Sequence, residues 1–449
     1  MLVLSYAVYN PSAPDTVAPG IRFAGGSRRL YQGGMISPRI QSNWPAAVTV
    51  AGLFFGYVFV QRVAPGVMVT DLMRDFDASG AVMGNLSAFY FYSYASLQIV
   101  VGAMMDRFGP RRLMTFAALI CGAGSVLFSV ADSLALAYAG RLMIGIGAAF
   151  SFVGALTVIH QCCPPEKFSF LSGIVQAAGM GGALLGQAPL GLWVEASGWR
   201  DPLLFGGLFA ALVGLAAWMV LRDPPGQNET SEPVTGSMFS GLVQVCRNPQ
   251  TWLAAIVGGT LTAPMLAFGG LWGVPFLQSI YGYDRPTAAA VTGALFIGWG
   301  VGAPVTGWLS DRWGRRRPIL FAGAVSMTVA LALVVWLPPL PVPVLVLLLA
   351  INGFGSSSMI LTFAAARASN SAASTGLALG IVNTCVVGSG AIAQPLLGSI
   401  LDLNWTGDML DGARLYHAEA YQLAFLPLLI TGLIGAFCAL RLRPIQGKA

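Results

Sequence analysis

Long apolar blocks constrain this chain more than any other feature of its sequence. Stretches of roughly 20 residues, the length of helix that crosses a bilayer core, follow one another through most of the 449 residues. Only 9% of the residues are charged, against about 25% in ordinary soluble domains. The sequence therefore predicts an all-α membrane protein with twelve transmembrane helices. The predicted spans are residues 45–67, 82–105, 113–132, 134–158, 169–194, 202–221, 251–277, 287–309, 318–337, 343–365, 375–401 and 419–440.

The positive charges fall mainly on one side of the predicted membrane. An even number of spans places both termini on that side, which carries 18 of the 24 Lys and Arg residues. Because positive charge accumulates in cytoplasmic loops, we expect a multi-pass protein of a bacterial inner membrane with both termini cytoplasmic. The net charge of +6 then reports topology and does not indicate a nucleic-acid partner. Four arginines are assigned to the outer side and two lie within spans: Arg74, Arg200, Arg285 and Arg414, then Arg62 and Arg141.

An internal repeat divides the chain into two halves. The loop after the second span, GAMMDRFGPRR (102–112), matches the loop after the eighth, GWLSDRWGRRR (307–317), at a constant offset of 205. Parallel repeats of this kind build one class of membrane transporter, so we expect two pseudo-symmetric six-helix bundles. The predicted segments are a disordered stretch 1–43, in which Met35 is an alternative start, a bundle 44–222, a cytoplasmic loop 223–250 with a short surface helix from Met238 to Val245, a bundle 251–441 and a tail 442–449.

The repeated loops predict a cytoplasmic gate. Their glycines permit the positive φ of a tight helix stop, and their aspartates lie beside arginines or helix ends with which a carboxylate can pair. The alternative is that the arginines only anchor the topology. Arg141, within the fourth span, either bonds the backbone of a neighbouring helix or joins an outer gate. The predicted gate residues are Gly102, Asp106, Arg107, Gly109, Arg112, Arg141, Gly307, Asp311, Arg312, Gly314 and Arg316.

These motifs resemble the major facilitator superfamily. The two loops resemble its loop signature, RLMIGIG (141–147) resembles the RxxxGxG signature of its fourth helix, and GWRDPLLFGG (198–207) resembles the usual start of its sixth. The resemblance covers residues 45–441. It implies alternating access by the rocking of two bundles, around a central cavity lined by spans one, four, seven and ten. An enzyme is disfavoured, because the sequence has no nucleophile elbow, phosphate loop or metal-ligand spacing, and we expect no cofactor and no metal.

Arg62 in the first span is the main candidate for a binding residue. An arginine at mid-membrane depth costs about 2.5–3.5 kcal/mol on insertion scales and marks a functional site by default, although it could instead extend to the outer surface. In the second span three polar side chains recur every four residues, on one helix face, and could line a wet cavity or pack between helices. The candidate substrate-binding residues are Arg62, Tyr57, Gln61, Tyr90, Tyr94, Gln98, Trp272, Trp299, Asn352 and Asn383.

A weaker resemblance points to the anion:cation symporter branch of the superfamily. It rests on QRVAPG (61–66) and SAFYFYSYASLQIVVGAMMDRFG (87–109), and it implies that Arg62 grips a carboxylate or phosphate, which suits a bidentate guanidinium. The glutamate that carries the coupling proton in that branch is replaced here by Ala148. No other proton carrier is evident, so uniport, a proton carried by the substrate and an unrecognised site stay open. Span five incompletely resembles the Gly-Pro signature of drug antiporters, with Gln187 at the proline position; helix packing by small residues is the favoured explanation.

The sequence thus favours a secondary active or facilitative transporter of a small organic anion, amino acid or short peptide. We expect the substrate's carboxylate to face Arg62 and its apolar part to face the second half. Two alternatives remain: an antiporter that exports amphipathic compounds or siderophores, and a transporter-like sensor that binds a ligand without moving it. In each case we expect a monomer in the lipid bilayer, with a small molecule as its partner.

Overall fold

The structure, a computed structural model, describes residues 43–223, 238–337, 339–371 and 374–443. The predicted disordered start with its alternative Met35, residues 224–237 of the central loop and the predicted tail beyond residue 443 lie outside these ranges. The surface helix predicted from Met238 is present and ends at Arg247.

Helices make up nearly all of the described chain. They are α1 (Trp44–Asp75), α2 (Gly80–Phe108), α3 (Pro110–Ser129), α4 (Leu134–Ala148), α5 (Ser151–Cys162), α6 (Phe168–Leu185), α7 (Ala188–Ser197), α8 (Arg200–Val220), α9 (Met238–Arg247), α10 (Pro249–Pro264), α11 (Gly273–Tyr281), α12 (Arg285–Trp313), α13 (Arg316–Trp336), α14 (Val342–Ser357), α15 (Ile360–Ala368), α16 (Thr375–Leu403) and α17 (Ala418–Arg441). A 3-10 turn (Pro165–Lys167) precedes α6, and a hairpin of β1 (Met409–Leu410) and β2 (Ala413–Arg414) precedes α17.

The helices are consistent with the predicted number of spans. Ten helices or helix pairs in the described ranges are long and apolar enough to cross a membrane. The two other predicted spans correspond to α2 and to α6 with α7. The chain is therefore an all-α, multi-pass membrane protein.

Four spans are interrupted in mid-course. Spans four and ten, which occupy equivalent places in the two halves, break between α4 and α5 and between α14 and α15. Span five breaks between α6 and α7, and span seven contains a π-helical segment, Met265–Trp272, between α10 and α11. Helix α10 ends at Pro264, and the π segment begins at the next residue. Such breaks free backbone carbonyls for other partners.

The same helix pairs pack in both halves, as the repeat predicts. In each half the first span packs on the fifth, the second on the fourth, and the third on the fourth and sixth: α1 on α6, α2 on α4 and α3 on α4 and α8, then α10 on α16, α12 on α14 and α13 on α14 and α17. Glycines allow the close approach. A Cβ added at Gly124 would lie 2.7 Å from the carbonyl oxygen of Gly140, and one at Gly355 would lie 2.5 Å from that of Gly323.

The halves meet through three sets of helices. Helix α2 packs along α16, α1 packs on the π segment and α11, and α6 and α7 pack on α12. Helices α5 and α15, the second parts of spans four and ten, do not form a packed pair in the described part of the chain. The contacts between halves therefore concentrate toward one end of the molecule. We call it the outer end, because the sequence assigns its arginines Arg74, Arg285 and Arg414 to the outside.

Candidate functional site

Arg62 is a buried cation without a carboxylate partner. Only 9% of the residue is exposed, and within the described residues it forms no ion pair and its Nε has no hydrogen-bond partner. Its guanidinium carbon lies 4.4 Å from the ring centroid of Phe59, 5.4 Å from that of Tyr94 and 5.8 Å from that of Tyr90. Aromatic faces attract a cation but do not neutralise its charge.

The other arginine within the spans, Arg141, is occupied by backbone. It is fully buried; its Nη1 donates to the carbonyl of Gln61 at 2.9 Å and its Nη2 to that of Ser87 at 3.2 Å. Arg141 thus ties α4 to α1 and α2. This arrangement corresponds to the first of its two predicted roles, and a gating role remains a prediction.

A polar row on α2 crosses from one half to the other. Tyr90 and Tyr94 stack with their ring centroids 5.9 Å apart, and both rings face Arg62. One turn further, the half-buried Gln98 accepts a 2.7 Å hydrogen bond from Asn383 of the second half and donates to Ala149 at 3.3 Å. The structure therefore places Arg62, both tyrosines, Gln98 and Asn383 along one line at the interface.

The predicted pair Tyr57 and Gln61 is used inside the first half. Gln61 Nε2 donates to the Tyr57 hydroxyl at 2.7 Å and to Ser125 at 2.9 Å, and Ser125 donates to Leu203 at 2.7 Å. These bonds join α1 to α3 and α3 to α8. The structure does not bring the two side chains into the row that contains Arg62, and their substrate role stays a prediction.

The three remaining candidates of the second half also lie apart from that row. Trp272 is fully buried, and its indole N–H donates to Gln394 at 3.1 Å. Asn352 donates to Met327 at 2.8 Å within the second half, and the indole nitrogen of the buried Trp299 has no partner in the described residues. No hydrogen bond or ring contact joins any of the three to Arg62 in the described part of the chain. Their predicted role in substrate binding stays a prediction.

The π segment seals the space on the outer side of Arg62. A Cβ added at Gly66, one turn beyond Arg62, would lie 3.0 Å from the carbonyl oxygen of Gly270. Gln187 of the first half donates to the carbonyl of Gly269 at 3.1 Å, and Gln394 donates to that of Leu266 at 2.8 Å. Two carbonyls of the π segment are thus satisfied by glutamine side chains. Gln187, which the sequence showed only as a departure from a proline, is a contact between the halves.

An ion pair and a helix cap join the halves at the outer end. Asp71 on α1 pairs with Arg285 on α12 at 2.7 Å, with side chains only 13% and 15% exposed. In the opposite direction, the carboxylate of Asp402 on α16 accepts the backbone N–H groups of Gly80 and Ala81 at 2.8 Å each. These two groups begin α2, where the helix dipole favours a negative charge. Each half therefore supplies an aspartate to the other.

A pocket of about 240 Å³ lies among these contacts, lined by the ends of α1 and α11 and by the hairpin. The Tyr416 hydroxyl donates to Asp402 at 2.6 Å and accepts from the Gly80 N–H at 3.0 Å. Burial raises the pKa of Tyr416, so this hydroxyl keeps its proton. The four arginines that the sequence assigned to the outside are all ion-paired here: Arg74 with Asp71 and Asp75, Arg200 with Asp75, Arg285 with Asp71 and Arg414 with Asp402.

The predicted cytoplasmic gate shows contacts within each half. Gly109 and Gly314 have φ of 79° and 61°, as their helix-stop role predicts. Arg316 donates to Ala364 at 2.9 Å inside the second half, Gly102 is buried and Gly307 half-buried, and the Asp106 side chain is outside what the structure describes. The gating role of the set stays a prediction. Its exposed members in the described residues are Arg107, Arg112, Asp311, Arg312 and Gly314.

Known proteins resemble this chain along most of its length. The sequence model of the Major Facilitator Superfamily matches residues 50–393 and 265–449. The probable sulfoacetate transporter SauU of Cupriavidus necator is 25% identical over 281 residues, which are 59% of this chain and 64% of that protein. The gentisate transporter of Corynebacterium glutamicum is 24% identical over 70% of this chain and 71% of its own. Multidrug resistance protein 1 of Bacillus subtilis is 22% identical over 58% of this chain and 65% of its own.

Solved structures show the same fold. A bacterial homologue of the human lysosomal transporter Spinster, in an inward-facing and unoccupied conformation, superposes with a TM-score of 0.69 at 17% identity, over 89% of this chain and 96% of that one. Family members are transporters and not enzymes. The family match, supported by the apolar helices and the paired halves, shows that this chain belongs to the Major Facilitator Superfamily of membrane transporters.

Proposed function

We propose that the protein is a secondary active or facilitative transporter of a small organic anion, amino acid or short peptide, with Arg62 holding the anionic group. The observation that carries the proposal is the state of Arg62: a buried cation at the interface with no ion-pair partner among the described residues. A guanidinium binds a carboxylate through two parallel hydrogen bonds, which would satisfy both its charge and its free donors.

The arrangement of the halves supports alternating access. The contacts at the Asp71–Arg285 pair and at Gly66 close the outer side of Arg62, while α5 and α15 are not packed together in the described ranges. Given the predicted orientation in a bacterial inner membrane, this is an inward-facing state. Rocking of the halves would break the outer contacts, bring the repeated loops together and expose Arg62 to the other side.

The relatives support the proposed substrate class, since two of the three compared above are named for organic acids. The multidrug resistance protein supports the alternative, export of an amphipathic compound. The stacked tyrosines beside Phe59 would suit such a compound as well. The alternatives differ in their need for Arg62: an aromatic-lined export site would work without the guanidinium, and an anion site would not.

Flux through the purified protein tests the proposal. The full chain is reconstituted in liposomes, and uptake of radiolabelled carboxylates, amino acids and dipeptides is followed with and without imposed pH and sodium gradients. We expect saturable uptake of at least one carboxylate. Binding without flux would support the sensor alternative and contradict transport. A response to the pH gradient would indicate proton coupling, and indifference to both gradients would indicate uniport.

A further inference from the structure

Charge is almost absent from the membrane-spanning part of the chain. Apart from Asp132, the last residue of the third predicted span, Arg62 and Arg141 are the charged residues that the sequence places inside the predicted spans of the first half. In the second half, four stretches contain no Asp, Glu, Lys, Arg or His: residues 249–283, 286–310, 318–366 and 368–401. These stretches include five of the six predicted spans of the second half, and the sixth, 419–440, has a charge only at its first residue, Glu419. The spans of the second half therefore contribute no charge at mid-membrane depth.

The two arginines differ in the hydrogen bonds that their guanidinium groups already form. Two terminal nitrogens of Arg141 donate to backbone carbonyls inside the first half, and the residue is fully buried. Neither arginine has a carboxylate partner in the described residues, and the Nε of each is unpartnered there. Arg62 differs because it lies among aromatic rings and donates to no backbone carbonyl in those residues. The charge available to a substrate at this site is thus one positive unit.

The opposite end of the polar row is neutral. Gln98 and Asn383 face each other across the interface at 2.7 Å, and both are half-buried. Gln98 lies one turn beyond Tyr94, or ~6 Å along the helix axis. A ligand held at Arg62 therefore passes the two tyrosine rings before it meets an amide pair, which can exchange hydrogen bonds with a neutral polar group.

Resting on the function proposed above, we propose that this site selects monoanions: compounds with one carboxylate, an apolar or aromatic body and a neutral hydrogen-bonding group at the far end. One negative charge neutralises Arg62. A second charge would lie against the amides and the uncharged second half, where an unpaired ion in a low-dielectric interior is strongly unfavourable. Dicarboxylates and doubly charged phosphate esters are excluded by the same argument.

A matched pair of ligands tests the selection. Meta-hydroxybenzoate and isophthalate share one ring, and the hydroxyl of the first is replaced by a second carboxylate in the other. Binding to the purified full chain is measured by the shift in melting temperature across a concentration series at neutral pH. We expect meta-hydroxybenzoate to stabilise the protein and isophthalate to bind roughly tenfold or more weakly, because its second charge has no partner.

Variants of Asn383 test whether charge, and not the fit of the ligand's ring, causes the difference between the two ligands. Asn383→Arg adds a cation opposite Gln98 and should reverse the preference in favour of isophthalate. Asn383→Leu removes the same amide but keeps the wall neutral, so it should still reject the dianion. If Asn383→Arg does not fold, the comparison of the two ligands on the unmodified protein decides alone.

Each outcome decides a different claim. Equal or tighter binding of isophthalate by the unmodified protein would overturn the monoanion proposal, as would the absence of a shift with either ligand. If the unmodified protein binds isophthalate equally or more tightly and Arg62→Gln loses this anion binding, the monoanion proposal fails but the function proposed above still stands. If meta-hydroxybenzoate binds Arg62→Gln as tightly as the unmodified protein, Arg62 is not the anion site and the proposed function itself fails.

Discussion

The two arginines within the spans are the same residue type but have different surroundings. The carbonyl of Gln61, next to Arg62 in the chain, accepts the hydrogen bond of Arg141. Arg141 therefore fixes the backbone of α1 at the residue before Arg62. The side chain of Arg62 instead lies among Phe59, Tyr90 and Tyr94. Arg141 thus has a structural position and Arg62 a position suited to a ligand.

Replacement of Arg141 should therefore lower stability. Arg141→Met removes both donors. The Gln61 carbonyl is then left unsatisfied, because its helical partner position is Pro65, which has no N–H, and this costs about 1–3 kcal/mol. The expected result is a lower melting temperature of the purified protein, while Arg62→Gln, which breaks no hydrogen bond or ion pair seen in the described residues, should leave it nearly unchanged. An unchanged melting temperature in Arg141→Met would contradict the structural role.

Sequence reasoning named the side chains of the polar row but not all the neighbours of Arg62. Arg62, Tyr90 and Tyr94 were predicted because a charge in an apolar span and a four-residue spacing are visible in the sequence. Phe59 was missed, although its i, i+3 spacing from Arg62 was a signal. Trp272 and Asn352 were predicted from residue type alone, and residue type does not show that a backbone carbonyl already occupies the side chain.

At the scale of helices, the ends and breaks of the spans hold the halves together. The outer ion pair joins α1 to α12, the Asp402 carboxylate joins α16 to α2, and Gln187 joins the break of span five to the π segment. The sequence predicted the repeat and most helix limits, because apolar length and loop motifs are local. It did not predict these contacts, because their partners are up to 322 positions apart.

Exchange of the outer charges should test the gate. Asp71→Arg or Arg285→Asp alone places like charges together, and breaking a buried pair costs about 3–5 kcal/mol, so either change should favour opening of the outer end. The double exchange restores the pair, although Arg74 and Asp75 also face this site. The measurement is labelling of Ser279→Cys, which lines the outer pocket, by a membrane-impermeant thiol reagent.

Labelling should rise in both single variants and return toward the starting rate in the double variant. Asp71→Asn, which removes the charge without reversing it, is the control and should give an intermediate rate. A double variant labelled as fast as the singles would show that the pair does not hold the outer end closed.

Loss of the hydrogen bond from Gln187 to Gly269 should also favour opening of the outer end, but less strongly than loss of the outer ion pair. Gln187→Leu removes one hydrogen bond to Gly269, and a bond of about 0.5–1.5 kcal/mol corresponds to a shift of roughly two- to tenfold in the ratio of states. The same labelling assay should detect the shift. Gln394→Leu is the matched control: it also removes a bond to the π segment, but within one half, so it should lower the melting temperature without changing the labelling rate. Equal labelling in both variants would contradict the assignment.

At the scale of the molecule, two similar halves of largely uncharged helices bury two arginines, of which Arg62 is the one without a hydrogen bond to a backbone carbonyl in the described residues. The twelve spans and the duplication follow from the sequence, because a bilayer limits helix length and both loops carry the same motif. The sequence does not show which side of Arg62 is closed. The packing within each half is compatible with an outward-open and an inward-open state, and only the contacts between the halves differ. A transporter needs both states to be close in free energy, which is why a few polar contacts at the outer end can decide between them.

Uptake by liposomes that contain Arg62→Gln tests the central claim most directly. Glutamine keeps much of the side-chain volume and some donors but loses the charge, and charge-assisted hydrogen bonds are worth about 1.5–3 kcal/mol. At equal amounts of reconstituted protein, we expect the apparent affinity for the transported carboxylate to fall roughly 10- to 100-fold, with partial recovery in Arg62→Lys. Uptake by Arg62→Gln at the rate and affinity of the unmodified protein would contradict the account.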